Sequence, residues 1–247
     1  MSVLALHGLR KAFGALVVTS GVDLALHEGE CHALIGPNGA GKTTLIHQVS
    51  GTLSPDAGRI EIAGRDVTRL GAAARARAGL GRTFQLTSLV PGFTVRENAA
   101  LAAQARAGSS YRFLGRASAE RTLNETADTA LAQVGLAHRA DALASALSHG
   151  ESRALALAVA LAGRPRLLLL DEPMAGMGQA EGAALVEVLA RLKRSVPILL
   201  VEHDMDAVFA LADRVSVLVE GRIVATGAPA AVRADPTARA AYLGEAA

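Results

Sequence analysis

The stretch Gly36-Pro37-Asn38-Gly39-Ala40-Gly41-Lys42-Thr43-Thr44 leaves this chain little freedom in how it folds. The apolar run His32-Ala33-Leu34-Ile35 before it reads as a buried strand, and Leu45-Ile46-His47-Gln48-Val49 after it reads as the first turns of a helix. The stretch fits G-x-x-x-x-G-K-[ST] at every fixed position and in the strand–loop–helix context the pattern requires. Its glycines let the backbone wrap closely and aim several N–H groups inward as an anion nest. The following helix start adds unsatisfied donors and partial positive charge. That suits a polyphosphate, with Lys42 neutralising β- and γ-phosphate oxygens and the Thr43 hydroxyl a ligand for Mg²⁺. A glycine-rich turn that binds nothing is the alternative, and the full match in context argues against it.

The 247 residues allow one large domain or two small ones, and 51% apolar content supplies a substantial core. A net charge of +2 without a dense Lys/Arg tract gives no sign of nucleic-acid binding. Cys31 is alone, which excludes a disulfide framework and a thiol metal site and leaves a structural, half-buried thiol. The longest apolar stretch, Ala154 to Gly163, falls short of the ~20 residues of a membrane span. No signal peptide is visible, so a cytosolic chain is expected, held at a membrane only through a partner.

Met1 to Glu30 reads as β-rich, with a turn at Ser20-Gly21. Phe13 has two readings there: a core aromatic on composition, or a π face for a purine by position. Arg59 to Ile62 alternates as a strand before a turn at Ala63 to Asp66, and Thr83-Phe84-Gln85-Leu86 follows. Gln85 taken alone is a solvated amide, although an amide there can reach Mg²⁺ or water. From Thr94 to Gly163 the pattern is helical, opening on Thr94 as N-cap with Glu97 three residues on, and broken by the aromatic and arginine segment 109–116.

Ser148-His149-Gly150-Glu151 is a capping box before a helix from Ser152 to Ala162, and the same helix start is a weak anion site. Leu167 to Leu170 reads as a buried parallel strand, with Asp171 and Glu172 at its C-terminal end, the edge where α/β sheets carry their ligands. Asp171 is placed to orient Mg²⁺, and Glu172 to polarise an attacking water. Pro197 to Val201 repeats the plan and ends at His203, placed to hold a γ-phosphate or the water. Val215 to Val219 and Ile223 to Ala225 form a hairpin turned at Glu220-Gly221, expected at a sheet edge.

The order P-loop, Gln85, Ser148-His149-Gly150-Glu151, Asp171-Glu172, His203 resembles an ABC-transporter ATP-binding subunit across the whole chain. Arg82-Thr83-Phe84-Gln85, Glu172-Pro173-Met174-Ala175-Gly176-Met177, Val201 to Met205 and the ending Ala241-Tyr242-Leu243-Gly244-Glu245 are similar to the larger ATPase of branched-chain amino acid importers. The resemblance implies an α/β P-loop NTPase fold: a parallel core sheet with an N-terminal antiparallel β subdomain (1–93 and 164–247) and an inserted helical subdomain (94–163). It implies ATP and Mg²⁺ as ligands. Phe13 would stack on adenine, residues Gly36 to Thr44 with Lys42 would hold the phosphates, and Thr43, Gln85 and Asp171 would serve Mg²⁺. Glu172 would be the catalytic base and His203 the switch. Ser148, Gly150 and Glu151 would complete the site of an opposite subunit in a head-to-tail dimer.

The implied partners are membrane permeases, a second ATP-binding subunit (homo- or heterodimer) and, indirectly, a periplasmic solute-binding protein, with the chain peripheral on the inner membrane face. A cassette for urea, amides, aromatic acids or lipopolysaccharide export is the near alternative. A soluble ABC ATPase of translation or DNA repair is the distant one. His149 replaces the usual third signature residue, and Gly178 stands where the family carries Asn or Asp.

Overall fold

The structure, a computed structural model, describes residues 2–83, 89–107 and 121–242. Gln85 and the 109–116 segment lie outside these. The chain divides into two compact units: Met1–Leu80 with Arg166–Glu172 and Leu189–Ala247, and Gly81–Pro165 with Pro173–Val188.

The first unit contains an antiparallel sheet of order β2-β1-β4-β5, built from β1 (Ser2–Phe13), β2 (Leu16–His27), β4 (Ala57–Ile62) and β5 (Arg65–Asp66). Val3 to Leu6 are buried in succession on β1, and Leu9 reaches the core beyond a register shift in the ladder between Leu6 and Leu9. The expected turn at Ser20-Gly21 is not one. β2 runs straight through it, and the hairpin turns instead at Gly14-Ala15, where Phe13 pairs with Leu16. Leu9 pairs with Val22 and Arg10 with Ser20, so Gly21, at φ 75°, is an extra residue in the ladder. A bulge with glycine in the left-handed region mimics a turn signal in sequence.

The larger sheet has the order β10-β9-β3-β8-β7-β6. Its parallel heart is β3 (Cys31–Ile35), β7 (Leu167–Asp171), β8 (Ile198–Val201) and β9 (Arg214–Val219). β10 (Arg222–Gly227) runs antiparallel to β9, and β6 (Leu80–Arg82) forms the other edge. Every residue of β3, β7 and β8 is buried, which is why these strands read as continuous apolar runs rather than alternations. Only one strand of the expected edge hairpin is at an edge. β9 lies inside the sheet beside β3, with Val215, Val217 and Leu218 fully buried.

Helix α1 (Lys42–Ser50) follows β3 and buries Leu45, Ile46 and Val49. Its C-terminal carbonyls are satisfied by a buried arginine on α2 (Ala72–Ala78), a short helix with no apolar signature in sequence. Arg75 donates to the carbonyls of Gln48, Val49, Leu70 and Thr68. Burial pulls its guanidinium below the usual arginine value, but four acceptors and the carboxylate of Asp66 hold the charge.

In the second unit α3 (Val95–Ala107) packs against α4 (Arg121–Gln133) and α5 (His149–Ala162). Thr94 and Glu97 cap α3 reciprocally, with 2.8 and 3.1 Å bonds. Ala99, Ala103, Ala127, Ala130 and Ala158 are buried, and these small residues are what the alanine-rich composition supplies to the helix contacts. The start of α6 (Gln179–Leu192) belongs to the same unit.

Candidate functional site

In the first unit the loop after β3 closes against two neighbours. A Cβ on Gly36 would lie 2.1 Å from the Leu218 carbonyl oxygen, and one on Gly41 would lie 2.6 Å from the Val18 carbonyl oxygen. Both glycines have positive φ, 155° and 104°, so backbone conformation and space make the same demand. The loop is braced from outside: Gly221 N–H donates to the Ala40 carbonyl at 2.9 Å, and Ser20 N–H donates to the Gly221 carbonyl at 2.8 Å. Sequence reasoning treated Glu220-Gly221 as a hairpin turn and gave it no part in the site. Its signal is visible only in three dimensions.

Lys42 opens α1 and folds back over the loop. Its ammonium donates to the carbonyls of Gly36 (2.6 Å) and Pro37 (3.0 Å). Burial pulls it below the usual lysine value, while the carboxylates of Glu172 and Asp171 work the other way. The lysine and the two acids at the end of β7 therefore share one electrostatic neighbourhood, although 129 and 130 positions apart in the chain (171 − 42 and 172 − 42). Asp171 is buried. Glu172 adopts φ 48°, left-handed for a residue that is not glycine, and its N–H is held by the Val201 carbonyl at 2.9 Å. Such strain concentrates where function over-determines a conformation.

His203 leaves the end of β8 with its ring exposed. Its Nδ1 lies 4.0 Å from Glu172 Oε1 and 3.9 Å from Glu202 Oε2. Glu202 was not a sequence candidate. It is 1% exposed, and its Oε2 also accepts the His203 backbone N–H at 3.2 Å. Asp204 caps the next helix, α7 (Met205–Leu211). Phe13 is 52% exposed, so the core reading fails, and the Lys11 ammonium lies over its ring, 5.6 Å from the centre. Cys31 is fully buried, and burial pushes its thiol up to about 12, which makes it structural.

For a divalent cation the candidate donors are the Thr43 hydroxyl, one residue into α1, and the Asp171 carboxylate. Among the described residues no cluster of three or more His, Cys, Asp or Glu exists to cage a metal. A hard cation held by few protein oxygens and by substrate phosphates is how Mg²⁺ is usually bound, so the donor set fits it.

The second unit carries the other candidate group. Ser148 is the N-cap of α5, its hydroxyl accepting from Glu151 N–H while Glu151 Oε2 accepts from Ser148 N–H. A Cβ on Gly150 would lie 2.7 Å from Glu181 Oε1, so the carboxylate end of that side chain rests directly against this glycine. His149 is tied down: Arg153 Nε donates to its Nε2 at 3.3 Å, and Arg153 Nη1 donates to the Pro173 carbonyl at 3.4 Å. Gly178 has no positive φ, and a Cβ there would meet nothing within 4 Å.

The sequence pattern of the ABC transporter family matches residues 19–175. The chain belongs to that family. The pattern described as the branched-chain amino acid ATP-binding cassette transporter matches residues 222–247 of this cassette. The high-affinity branched-chain amino acid transport ATP-binding protein LivG of Salmonella typhimurium (strain LT2) is 38% identical, covering 99% of this chain and 98% of that one. The sulfate/thiosulfate import ATP-binding protein CysA 2 of Chromobacterium violaceum is also 38% identical, but the match covers 98% of this chain and only 64% of that one. A crystal structure of the ADP conformation of an ATP-binding cassette superposes with TM-score 0.87 at 28% identity, covering 99% of each chain. The expected ABC ATPase fold and ATP-binding family are therefore established, and the fold's two sheets match the parallel core and antiparallel β layer read from sequence. Among the described residues no helix is long and apolar enough to cross a membrane.

Proposed function

We propose that the chain is the ATP-hydrolysing subunit of a membrane importer for branched-chain or closely related amino acids. The observation that carries the solute class is the C-terminal match over residues 222–247, because overall identity to sulfate and branched-chain amino acid cassettes is the same 38%.

Gly36 to Thr44 bind the triphosphate through backbone N–H groups and Lys42 exchanges its bonds to the Gly36 and Pro37 carbonyls for phosphate oxygens. Phe13 offers its exposed ring to adenine. Thr43, Asp171 and Gln85 are the residues that would hold Mg²⁺, which supplies charge neutralisation between the β- and γ-phosphates. Glu172 accepts the proton of the attacking water and His203, beside it, holds the γ-phosphate. Ser148, Gly150 and Glu151 present the start of α5 to nucleotide on a second cassette in a head-to-tail pair. Closure of that pair is then favoured only while the γ-phosphate is present, and paired permeases turn closing and opening into transport. The subunit so assembled is peripheral at the cytoplasmic face, and 94–163 acts as the helical subdomain inserted in the chain between residues 1–93 and 164–247.

The test is co-purification of tagged chain from detergent-solubilised membranes, with uptake measured in the same strain. Recovery of permeases and leucine uptake abolished by Glu172→Gln support the reading. Recovery of ribosomes or repair factors, or uptake of sulfate instead, overturns it.

A further inference from the structure

The first unit contains a cavity of about 270 Å³ that no step of ATP hydrolysis uses. Its floor is buried Ile35, the last residue of β3, and buried Val217, its partner in the middle of β9. Its walls are Phe209 from α7 and Val232 from α8 (Pro229–Ala234). The lining also carries three charged residues: Asp206 on α7, Arg233 on α8 and Arg239 on α9 (Pro236–Tyr242). The Arg233 guanidinium lies 5.7 Å from the Phe209 ring centre, and among the described residues neither of these arginines pairs with a carboxylate.

Ligand pockets commonly have volumes of about 300–1,000 Å³, so this one suits a metabolite much smaller than a nucleotide. An apolar floor and walls demand an aliphatic group. Two arginines and one carboxylate among the lining residues are complementary in charge to a molecule carrying a carboxylate and an ammonium together. Moreover, Val232 and both arginines come from residues 222–247, the segment matched by the branched-chain amino acid cassette pattern. We propose that this cavity binds one small aliphatic α-amino acid, its side chain on Ile35 and Val217, its carboxylate at Arg233 and Arg239, and its ammonium at Asp206. The choice of an aliphatic amino acid rests in part on the proposed solute class, but the site does not depend on the permease.

Equilibrium dialysis of the full chain, without nucleotide, against radiolabelled leucine tests this. Saturable binding at one site per chain is expected, weakened at least tenfold in Arg233→Glu/Arg239→Glu and in Asp206→Lys. These substitutions lie at the surface and leave ATP binding unchanged. Val232→Phe, which fills the cavity, is a second variant expected to lose leucine. Valine and isoleucine should compete, and 4-methylpentanoate, which lacks the ammonium, should compete at least tenfold less well. No saturable binding at millimolar leucine overturns the proposal, as does equal competition by glycine or lysine. Absent binding with intact leucine uptake removes the cavity site alone, whereas leucine binding by a chain that energises another solute removes the importer assignment alone.

Discussion

The backbone N–H of Gly221 donates to the carbonyl of Ala40 at 2.9 Å, tying the tip of the β9–β10 hairpin to the loop that presents Lys42. The same glycine fits under β2 with so little room that its Cβ would stand 2.3 Å from the Val18 carbonyl oxygen.

Gly221→Ala should therefore be costlier than Gly64→Ala. Both glycines have similar φ, 76° and 74°, but a Cβ on Gly64 meets nothing within 4 Å. The left-handed conformation alone costs roughly 1–2 kcal/mol, and overpacking at Gly221 adds about 1–3 kcal/mol. Chemical denaturation measures the difference, and a nucleotide titration should show weaker ATP binding only in the Gly221 variant. Equal losses would mean that the turn moves freely.

Glu172→Gln should retain nucleotide binding and lose turnover by about 10²–10⁴-fold, the usual contribution of a general base. Lys42→Ala should lose binding itself, since the only flexible cation of the loop is gone. Steady-state hydrolysis beside a binding titration separates the two. Unchanged turnover in Glu172→Gln would remove its assignment as the base.

Arg75→Leu should destabilise the first unit by on the order of 3–5 kcal/mol, because carbonyls of Gln48 and Val49 at the end of α1 lose a buried donor. Arg75→Lys should recover only part of this, since a point-like ammonium cannot span the four carbonyls that the guanidinium bridges. The denaturation midpoint is the measure.

The cap of α5 should weaken in acid. The bond from Ser148 N–H, helped by Arg139, holds the Glu151 carboxyl below its usual range. A depressed folded-state value means stabilisation that is present above the unfolded value and lost as pH falls through the folded one. Amide protection in the first turn of α5 should thus fall as pH drops below roughly 4. Glu151→Gln, which carries no titrating carboxyl, should remove that pH dependence, and Ser148→Ala should cost about 1 kcal/mol at neutral pH.

Gly178→Asp should fold normally and stabilise α6 by a few tenths of a kcal/mol, because Gly178 sits at the N-cap position, its carbonyl accepting from Gly182 N–H at 2.9 Å, with space for a side chain. Loss of folding in this variant would show that the glycine is required after all.

Much of the candidate site was legible because its chemistry is local. Gly36 to Thr44 carry their own geometry in glycine spacing, and Leu167 to Asp171 announce a buried parallel strand by being apolar on both faces. Ser148 and Glu151 are a local capping pair, so their reciprocal bonds follow from a spacing of three. Phe13 was ambiguous because composition says nothing of which side of a hairpin tip an aromatic takes. Gly21 misled, since a bulge and a turn use the same residue for the same positive φ.

By itself, then, the sequence determined which segments are strands and helices around the phosphate loop and which residue types wait at the strand ends, because these depend on periodicity and backbone freedom within a few residues. Only the tertiary structure decided that Gly221 and Val18 clamp that loop, that Arg75 closes the end of α1, that buried Glu202 stands beside His203, and that α7, α8 and α9 enclose a cavity over Ile35. Each of those contacts joins residues distant in the chain, and their partners are chosen by close packing and by the need to satisfy buried polar groups, neither of which leaves a periodic trace in sequence.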